Sequence, residues 1–292
     1  VPTPTPLQRT TVELTGRPKL SALAADGPKR PFVLVHGLAS NALLWQPVAS
    51  RLSAAGHTVL AVDLRGHGLS EQAASGYDTQ TCAADVNALI DLAGWQQRPV
   101  ICGQSWGAHV ALEAAAGDLG SRSVAGVVCV DGGWIALSEN FSTFDECWQT
   151  LAPPDFESTR FAQVRGFIES LTSDWPAGSV DLVMGNLEEM PDGRARNRLS
   201  REHHQDILRS MWDESLADPS PLLRVEVATL LMVAGEPNDA QRAQLVERAA
   251  AKLRDSRIEW FPGAHHDIHA QQPDVVAQSL LRFVGSLEDG AA

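Results

Sequence analysis

Val100-Ile101-Cys102-Gly103-Gln104-Ser105-Trp106-Gly107-Ala108-His109-Val110-Ala111 is the stretch on which the reading of this chain turns. A short apolar run ends in Gly-Gln-Ser-Trp-Gly and passes directly into a segment rich in Ala and Leu, a pattern that predicts a strand, a sharp turn and a helix. Gly103 and Gly107 leave room where the strand and helix backbones approach closely, and the spacing places Ser105 at the apex with its hydroxyl facing outward. The N–H groups that open the helix at Trp106 face the same point, where they would stabilise negative charge on a carbonyl oxygen. Ser105 is therefore a candidate nucleophile, set against the alternative of an ordinary turn serine.

Outward from this stretch, strand and helix alternate. Thr10–Leu14 and Lys19–Ala24 have strand character and are separated by Thr15-Gly16-Arg17-Pro18, which predicts an antiparallel edge hairpin. Pro31–Gly37 is a continuous apolar run, as expected for a strand covered on both faces. The loop His36-Gly37-Leu38-Ala39-Ser40-Asn41 follows it, and the Leu38 N–H is the natural second donor to the site. A helix with Leu43, Leu44, Val48, Leu52 and Ala55 at helical spacing closes at Gly56, and Thr58–Val62 is the next strand. Asp63-Leu64-Arg65-Gly66-His67-Gly68-Leu69-Ser70 lacks the Lys-Ser/Thr of a phosphate loop and reads as a turn braced by an Asp–Arg pair. His67 is a weaker candidate base than a histidine further on.

A helix over Thr79–Ala93 leads into the central strand, and Val124–Val130 is the strand after it. Asp131 stands at the end of that strand, where a carboxylate either reaches the site or caps the next turn. From Trp134 to about Val225 no strand signal appears, and aromatic residues are frequent. Breaks at Pro153-Pro154, Trp175-Pro176, Pro191-Asp192-Gly193 and Pro219-Ser220-Pro221 predict about four helical pieces. Arg194, Arg196, Arg198, Arg201 and Glu202 read as a solvated stripe. Regular alternation resumes with a strand at Ala228–Ala234, a helix at Ala240–Lys252, a strand at Arg257–Phe261 and a closing amphipathic helix at Pro273–Leu287.

Composition narrows the partners. A formal net charge of −13 disfavours nucleic acid and anionic membrane surfaces, and no apolar run approaches the roughly 18 residues of a membrane span. Cys82, Cys102, Cys129 and Cys147 have no metal spacing and read as buried small hydrophobes. His265 and His269 are four apart, but no carboxylate completes a zinc motif, so neither a metal nor a cofactor is expected. The opening Val1-Pro2-Thr3-Pro4-Thr5-Pro6 has no apolar h-region. A cytoplasmic protein is expected, with a removed secretion signal as the alternative because the chain starts at Val1.

In chain order the candidates are Ser105, then Asp131 or Asp239, then His266 in Gly263-Ala264-His265-His266. With His36-Gly37, the Asp63–Ser70 loop and Gly103-Gln104-Ser105-Trp106-Gly107, the sequence resembles the α/β-hydrolase family over nearly its whole length. The resemblance implies an α/β-hydrolase fold, with a mostly parallel eight-stranded sheet, helices on both faces and a helical lid inserted after the sixth strand. Residues 1–133 and 226–292 would form the core and 134–225 the lid. It further implies that Ser105 attacks a carbonyl carbon, that His266 takes and returns the proton, and that the Leu38 and Trp106 N–H groups form the oxyanion hole.

The family's usual acid lies three residues past a Gly after the strand that follows the lid. That position is Asn238, with Asp239 one further on, and the extra Pro237 would bring Asp239 to the site. Some members place the acid where Asp131 stands. Asp239 is favoured, with Asp131 as the alternative. Trp134, Phe141, Phe144 and Trp148 are expected to line the substrate pocket, which points to an apolar substrate.

Haloalkane dehalogenases and most epoxide hydrolases carry Asp at the elbow, and the only tyrosine here is Tyr77. The Gly-Gly-Pro-Gly loop of proline iminopeptidases is absent. Cofactor-free dioxygenases and chloride-peroxidase-like members share the architecture. The leading expectation is a serine hydrolase acting on a small to medium apolar ester or lactone. A hydrolase cleaving a carbon–carbon bond next to a ketone and a slow-turnover ligand-binding protein are the alternatives.

Overall fold

The computed structural model describes residues 6–116, 123–216 and 221–289; most of the proline-rich opening and the break at Pro219-Ser220 lie outside them. Ten strands are present among the described residues. They are β1 (Gln8–Val12), β2 (Leu20–Ala25), β3 (Lys29–Val35), β4 (His57–Val62), β5 (Val100–Gln104), β6 (Gly126–Val130), β7 (Leu187–Glu189), β8 (Ala195–Asn197), β9 (Ala228–Ala234) and β10 (Ser256–Phe261). Eight form one sheet in the order β1-β2-β4-β3-β5-β6-β9-β10. β1 and β2 make the antiparallel edge, and every pairing from β4 across to β10 is parallel.

The period of two along each strand sorts side chains to two cores. Val33, Val35, Ile101, Val127, Cys129, Leu231 and Val233 join one core with α2 (Thr79–Ala93) and α3 (Trp106–Ala115). Phe32, Leu34, Val100, Cys102, Val128, Val130, Leu230 and Met232 join the other with α1 (Gln46–Ala54) and the last helix (Pro273–Asp289). β4, β5 and β6 are buried along their whole length, which accounts for the apolar runs Val59–Val62, Val100–Cys102 and Val127–Val130 within them. All four cysteines are buried and free. Among the described residues no helix is long and apolar enough to cross a membrane.

Parallel register also places the site. Val35 pairs with Gly103, Gln104 with Val130, and Val130 with Met232, so the chain leaves β3, β5, β6 and β9 at one edge of the sheet. The loops beginning at His36, Ser105, Asp131 and Gly235 are thereby gathered at that edge.

The segment between β6 and β9 holds the helices α4 (Leu137–Asn140), α5 (Phe144–Leu151), α6 (Phe161–Leu171), α7 (Ser179–Met184) and α8 (Arg201–Ser215). It also contains a hairpin, β7 with β8, where no strand was expected. Three-residue strands are too short to display a period of two. The turn between them is closed by Gly193 at φ 75°, with its N–H donating to the Met190 carbonyl at 2.7 Å. Leu187 and Ala195 of this hairpin bury against Val164, Ile168 and Met184 in a small separate core. The stripe of arginines lies partly on the hairpin, where Arg196 pairs with Glu188 and Arg194 with the turn residue Asp192.

The close approach of β5 and α3 depends on the absence of side chains. A Cβ on Gly103 would run into the Gly107 carbonyl oxygen, and one on Gly107 into the His36 carbonyl oxygen. Both obstacles are backbone and cannot swing away. Gly103→Ala is expected to cost about 3 kcal/mol, lowering the melting temperature by roughly 5–10 °C. Gly166→Ala, which meets nothing within 4 Å in the middle of α6, should raise stability by about 0.5–1 kcal/mol. Thermal unfolding of the two variants beside the parent checks both signs.

Candidate active site

Ser105 sits between β5 and α3 at φ 53° and ψ −121°, a conformation that side-chain-bearing residues rarely adopt. The strain is held from both sides. Its N–H donates to the Val130 carbonyl at 2.9 Å. A Cβ on Gly132 would strike the Ser105 backbone, and one on Gly37 would lie 3.1 Å from the Ser105 Cβ. The hydroxyl makes no capping bond to the helix that follows and is left for other work.

His266 lies in the loop after β10, and its carbonyl accepts a hydrogen bond from Gln104 Nε2 at 3.3 Å, next door to Ser105. Its Nδ1 lies 2.7 Å from Asp131 Oδ2. A carboxylate can only accept, so Nδ1 carries the proton and Nε2 is left as the free base. Asp131 is 4% exposed and itself adopts φ 44°. Its other oxygen, Oδ1, accepts from the Ala234 N–H at 3.0 Å and from Arg242 Nη1 at 3.1 Å.

The structure thus brings Asp131 to His266 in place of the favoured Asp239. Asp239 is exposed and caps helix α9 (Ala240–Ala250), accepting the Arg242 N–H at 3.1 Å. The loop after β9 runs on to the start of that helix, and the Asp239 carboxylate is engaged in its cap rather than turned to the imidazole. Arg242 escaped the sequence reading altogether, because nothing in its spacing marks it as a partner of Asp131.

Burial pulls the His266 pKa down, but the Asp131 hydrogen bond and the charges of Asp267 and Asp131 outweigh it. The ring therefore keeps its proton to a pH above the ordinary 6.5, with the Arg242 charge acting in the opposite sense.

The loop after β3 is fixed by two other histidines. His36 Nε2 accepts the Leu64 N–H at 3.0 Å, and His67 Nε2 accepts the Ala39 N–H at 3.3 Å. Their Nδ1 atoms face the Gly37 and Arg65 carbonyls at 2.7 and 2.9 Å, which settles both rings as neutral tautomers. Burial lowers the His36 pKa to about 4 and the His67 pKa well below 6.5. His67 is thus a brace for the loop, and Ala39 is held at φ 53° beside Leu38. The Asp63–Ser70 turn is braced from outside, since Asp63 pairs with Arg9 and Arg65 with Asp85, both at 2.7 Å, in place of an internal Asp–Arg pair. The second Asp63 oxygen accepts the Ala42 N–H at 2.7 Å and so anchors the far end of the Leu38 loop.

Residues 32–279 match the alpha/beta hydrolase family. The chain belongs to this family. It is 28% identical over 284 residues to a putative non-heme chloroperoxidase of Synechocystis sp., covering 88% of this chain and 92% of the relative. It is 26% identical over 261 residues to a 2-(acetamidomethylene)succinate hydrolase of Mesorhizobium japonicum, covering 89% and 88%. A solved E-2-(acetamidomethylene)succinate hydrolase shares the fold with a TM-score of 0.78 at 22% identity, covering 96% of this chain and 99% of that one. An esterase of M. tuberculosis does so with a TM-score of 0.73 at 20% identity, covering 98% and 94%.

Within this alpha/beta hydrolase, the four aromatics expected at the substrate pocket separate. Trp134 lines a cavity of about 300 Å³ beside His266, together with Asp131, Ile135, Asn140, Arg242 and Leu245. Phe144 is buried edge-on to Trp212 with the Arg209 guanidinium 3.4 Å above its ring. Trp148 packs against His204 and under Arg201, and Phe141 rests on the main core. All four pack on or within the main core, and Trp134 differs in also facing the cavity beside His266. His265 is exposed beside Asp174, whereas His269 is fully buried against Trp45, so the two do not share an environment that could hold a metal.

The Asp131–His266 contact has a direct solution test. In an NMR titration, the His266 ring should lose its proton above pH 6.5 in the parent. Asp131→Asn should bring that midpoint down by about one pH unit, and Asp239→Asn should leave it in place. The opposite ranking of the two variants would return the acid to Asp239.

Proposed function

We propose that this alpha/beta hydrolase is a serine hydrolase that cleaves a carboxylic ester or lactone of a small to medium apolar substrate through an acyl-enzyme. The observation that carries the proposal is the 2.7 Å contact of His266 Nδ1 with the buried Asp131, which leaves Nε2 free as a base at the edge of the sheet that presents Ser105. In this reading Ser105 Oγ attacks the substrate carbonyl carbon while its proton passes to His266 Nε2. Asp131 stabilises the imidazolium that results.

Negative charge on the tetrahedral oxygen is met by the Leu38 and Trp106 N–H groups. Trp106 opens helix α3, so its N–H has no partner within the helix. Collapse of the intermediate breaks the bond to the leaving oxygen, which takes the proton from His266. Water then attacks the acyl-serine with His266 as base, and Ser105 is restored.

Residues 134–225 serve as the lid over this site. Trp134, Ile135 and Leu245 supply the apolar part of the cavity beside His266, whose other walls carry Asp131, Asn140, Asp239, Gln241 and Arg242; the apolar acyl or alcohol group is inferred from the aromatic-rich composition of the lid.

The test is labelling with a fluorophosphonate followed by peptide mapping, combined with a series of p-nitrophenyl esters of increasing chain length. Stoichiometric labelling at Ser105 and turnover of one chain-length class are expected. Ser105→Ala and His266→Ala should each reduce kcat by about 10³-fold or more, with unchanged circular dichroism. Retention of more than a few per cent of parental activity in either variant would show that the nucleophile or base is misassigned.

A further inference from the structure

The Asp131 carboxylate is shared between two cations' worth of chemistry. Oδ2 holds His266, while Oδ1 holds the Ala234 N–H and Arg242 Nη1. The same Nη1 also donates to the Ala234 carbonyl at 2.8 Å, which pins the guanidinium to the end of β9. Asp239 secures the other end of this arrangement, because its cap fixes the Arg242 N–H in the first turn of α9. The carboxylate that sequence spacing favoured as the acid therefore positions the arginine that positions the acid.

A guanidinium in contact with a catalytic carboxylate has two effects of opposite sign. As a hydrogen-bond donor it orients the carboxylate, leaving Oδ2 directed at the imidazole. As a charge it competes with the imidazolium for the same anion, and so favours the neutral ring. The charged groups around His266 are Asp131 from the end of β6, Asp267 beside it in the chain, and Arg242 from α9. Asp239 lines the same cavity, and the neighbouring His269 and His36 are buried and neutral. Among these described groups Arg242 is the permanent cation.

We propose that Arg242 is a positioning residue of the catalytic site: it locks the Asp131 carboxylate in register with His266 and offsets part of its charge, so that the imidazole is held less tightly to its proton. This rests on the Ser105–His266–Asp131 assignment made above. The orienting hydrogen bond could be supplied by any donor, but the offset of charge only by a cation.

The experiment is the pH dependence of kcat for the parent, Arg242→Gln and Arg242→Lys on the p-nitrophenyl ester that the parent turns over. Arg242 is 41% exposed in its side chain, which screens its charge. Arg242→Gln should therefore move the acid limb to higher pH by about 0.5–1 unit. Its kcat should fall several-fold at pH 7 and recover most of that loss by about pH 9. Arg242→Lys keeps the charge and should hold the limb at its parental position. An NMR titration of His266 in Arg242→Gln reads the same shift without turnover.

A residue that only held Asp131 in place would behave differently. Its loss would loosen the Asp131–His266 bond and leave the limb where it is or move it to lower pH, and either result overturns the proposal. Failure of the underlying assignment shows separately, as turnover that survives Ser105→Ala with Arg242 intact.

Discussion

A buried carboxylate is the constraint from which the rest of this site follows. Asp131 has almost no contact with solvent, and an ionised carboxylate in that position costs several kcal/mol unless donors replace its water. The donors come from three separate parts of the chain: the backbone at the end of β9, the first turn of α9 and the loop after β10. Satisfying the charge thus draws the second half of the chain onto the edge of the sheet built by the first half. The residue before Asp131 accepts the Ser105 N–H, and the residue after it packs on the Ser105 backbone. Asp131, His266 and Ser105 are consequently set by one local arrangement, with parallel register doing the spacing.

Much of this could be read from residues alone, because it rests on local rules. Buried parallel strands need unbroken apolar runs, and β3, β5 and β6 announce themselves in that way. The elbow needs small residues at close approach, and Gly103 and Gly107 supply the signature. The choice between Asp131 and Asp239 is of another kind. Both stand just beyond the end of a neighbouring sheet strand, and which of them meets His266 is decided by donors 103, 111 and 135 positions along the chain. No spacing rule reaches across such separations. The short β7–β8 hairpin and the sorting of Trp134 from Phe144 were hidden for a related reason. Each depends on which face of an irregular segment meets the core, and three-residue strands and scattered aromatics carry no period to report it.

The loop bearing Leu38 shows how an unusual backbone is maintained by ordinary groups. Ala39 holds a left-handed conformation that costs about 1 kcal/mol or more in a residue with a side chain. Its N–H is held by His67, and Asp63 receives the Ala42 N–H at the loop's far end. Asp63 in turn is neutralised by Arg9 from the edge strand β1. A strand remote from the site in sheet order therefore contributes to the geometry of the loop, and the Asp63–Ser70 turn is the part through which it does so.

The buried neutral histidines have a consequence for life in acid. His36 and His204 are lowered to about 4, His269 to about 3 and His67 well below 6.5, in every case chiefly by burial. Such rings bind protons more readily in the unfolded chain than in the folded one. They leave the fold's stability untouched above the unfolded value near 6.5, and they erode it as pH falls from there toward the folded values, each by up to about 1.4 kcal/mol per pH unit. His266 titrates on the other side of 6.5. Acidification accordingly meets two thresholds in sequence: an upper one at which the exposed edge of the sheet gains a charge on His266 with the architecture intact, and a lower one at which the imprisoned imidazoles pull that architecture apart.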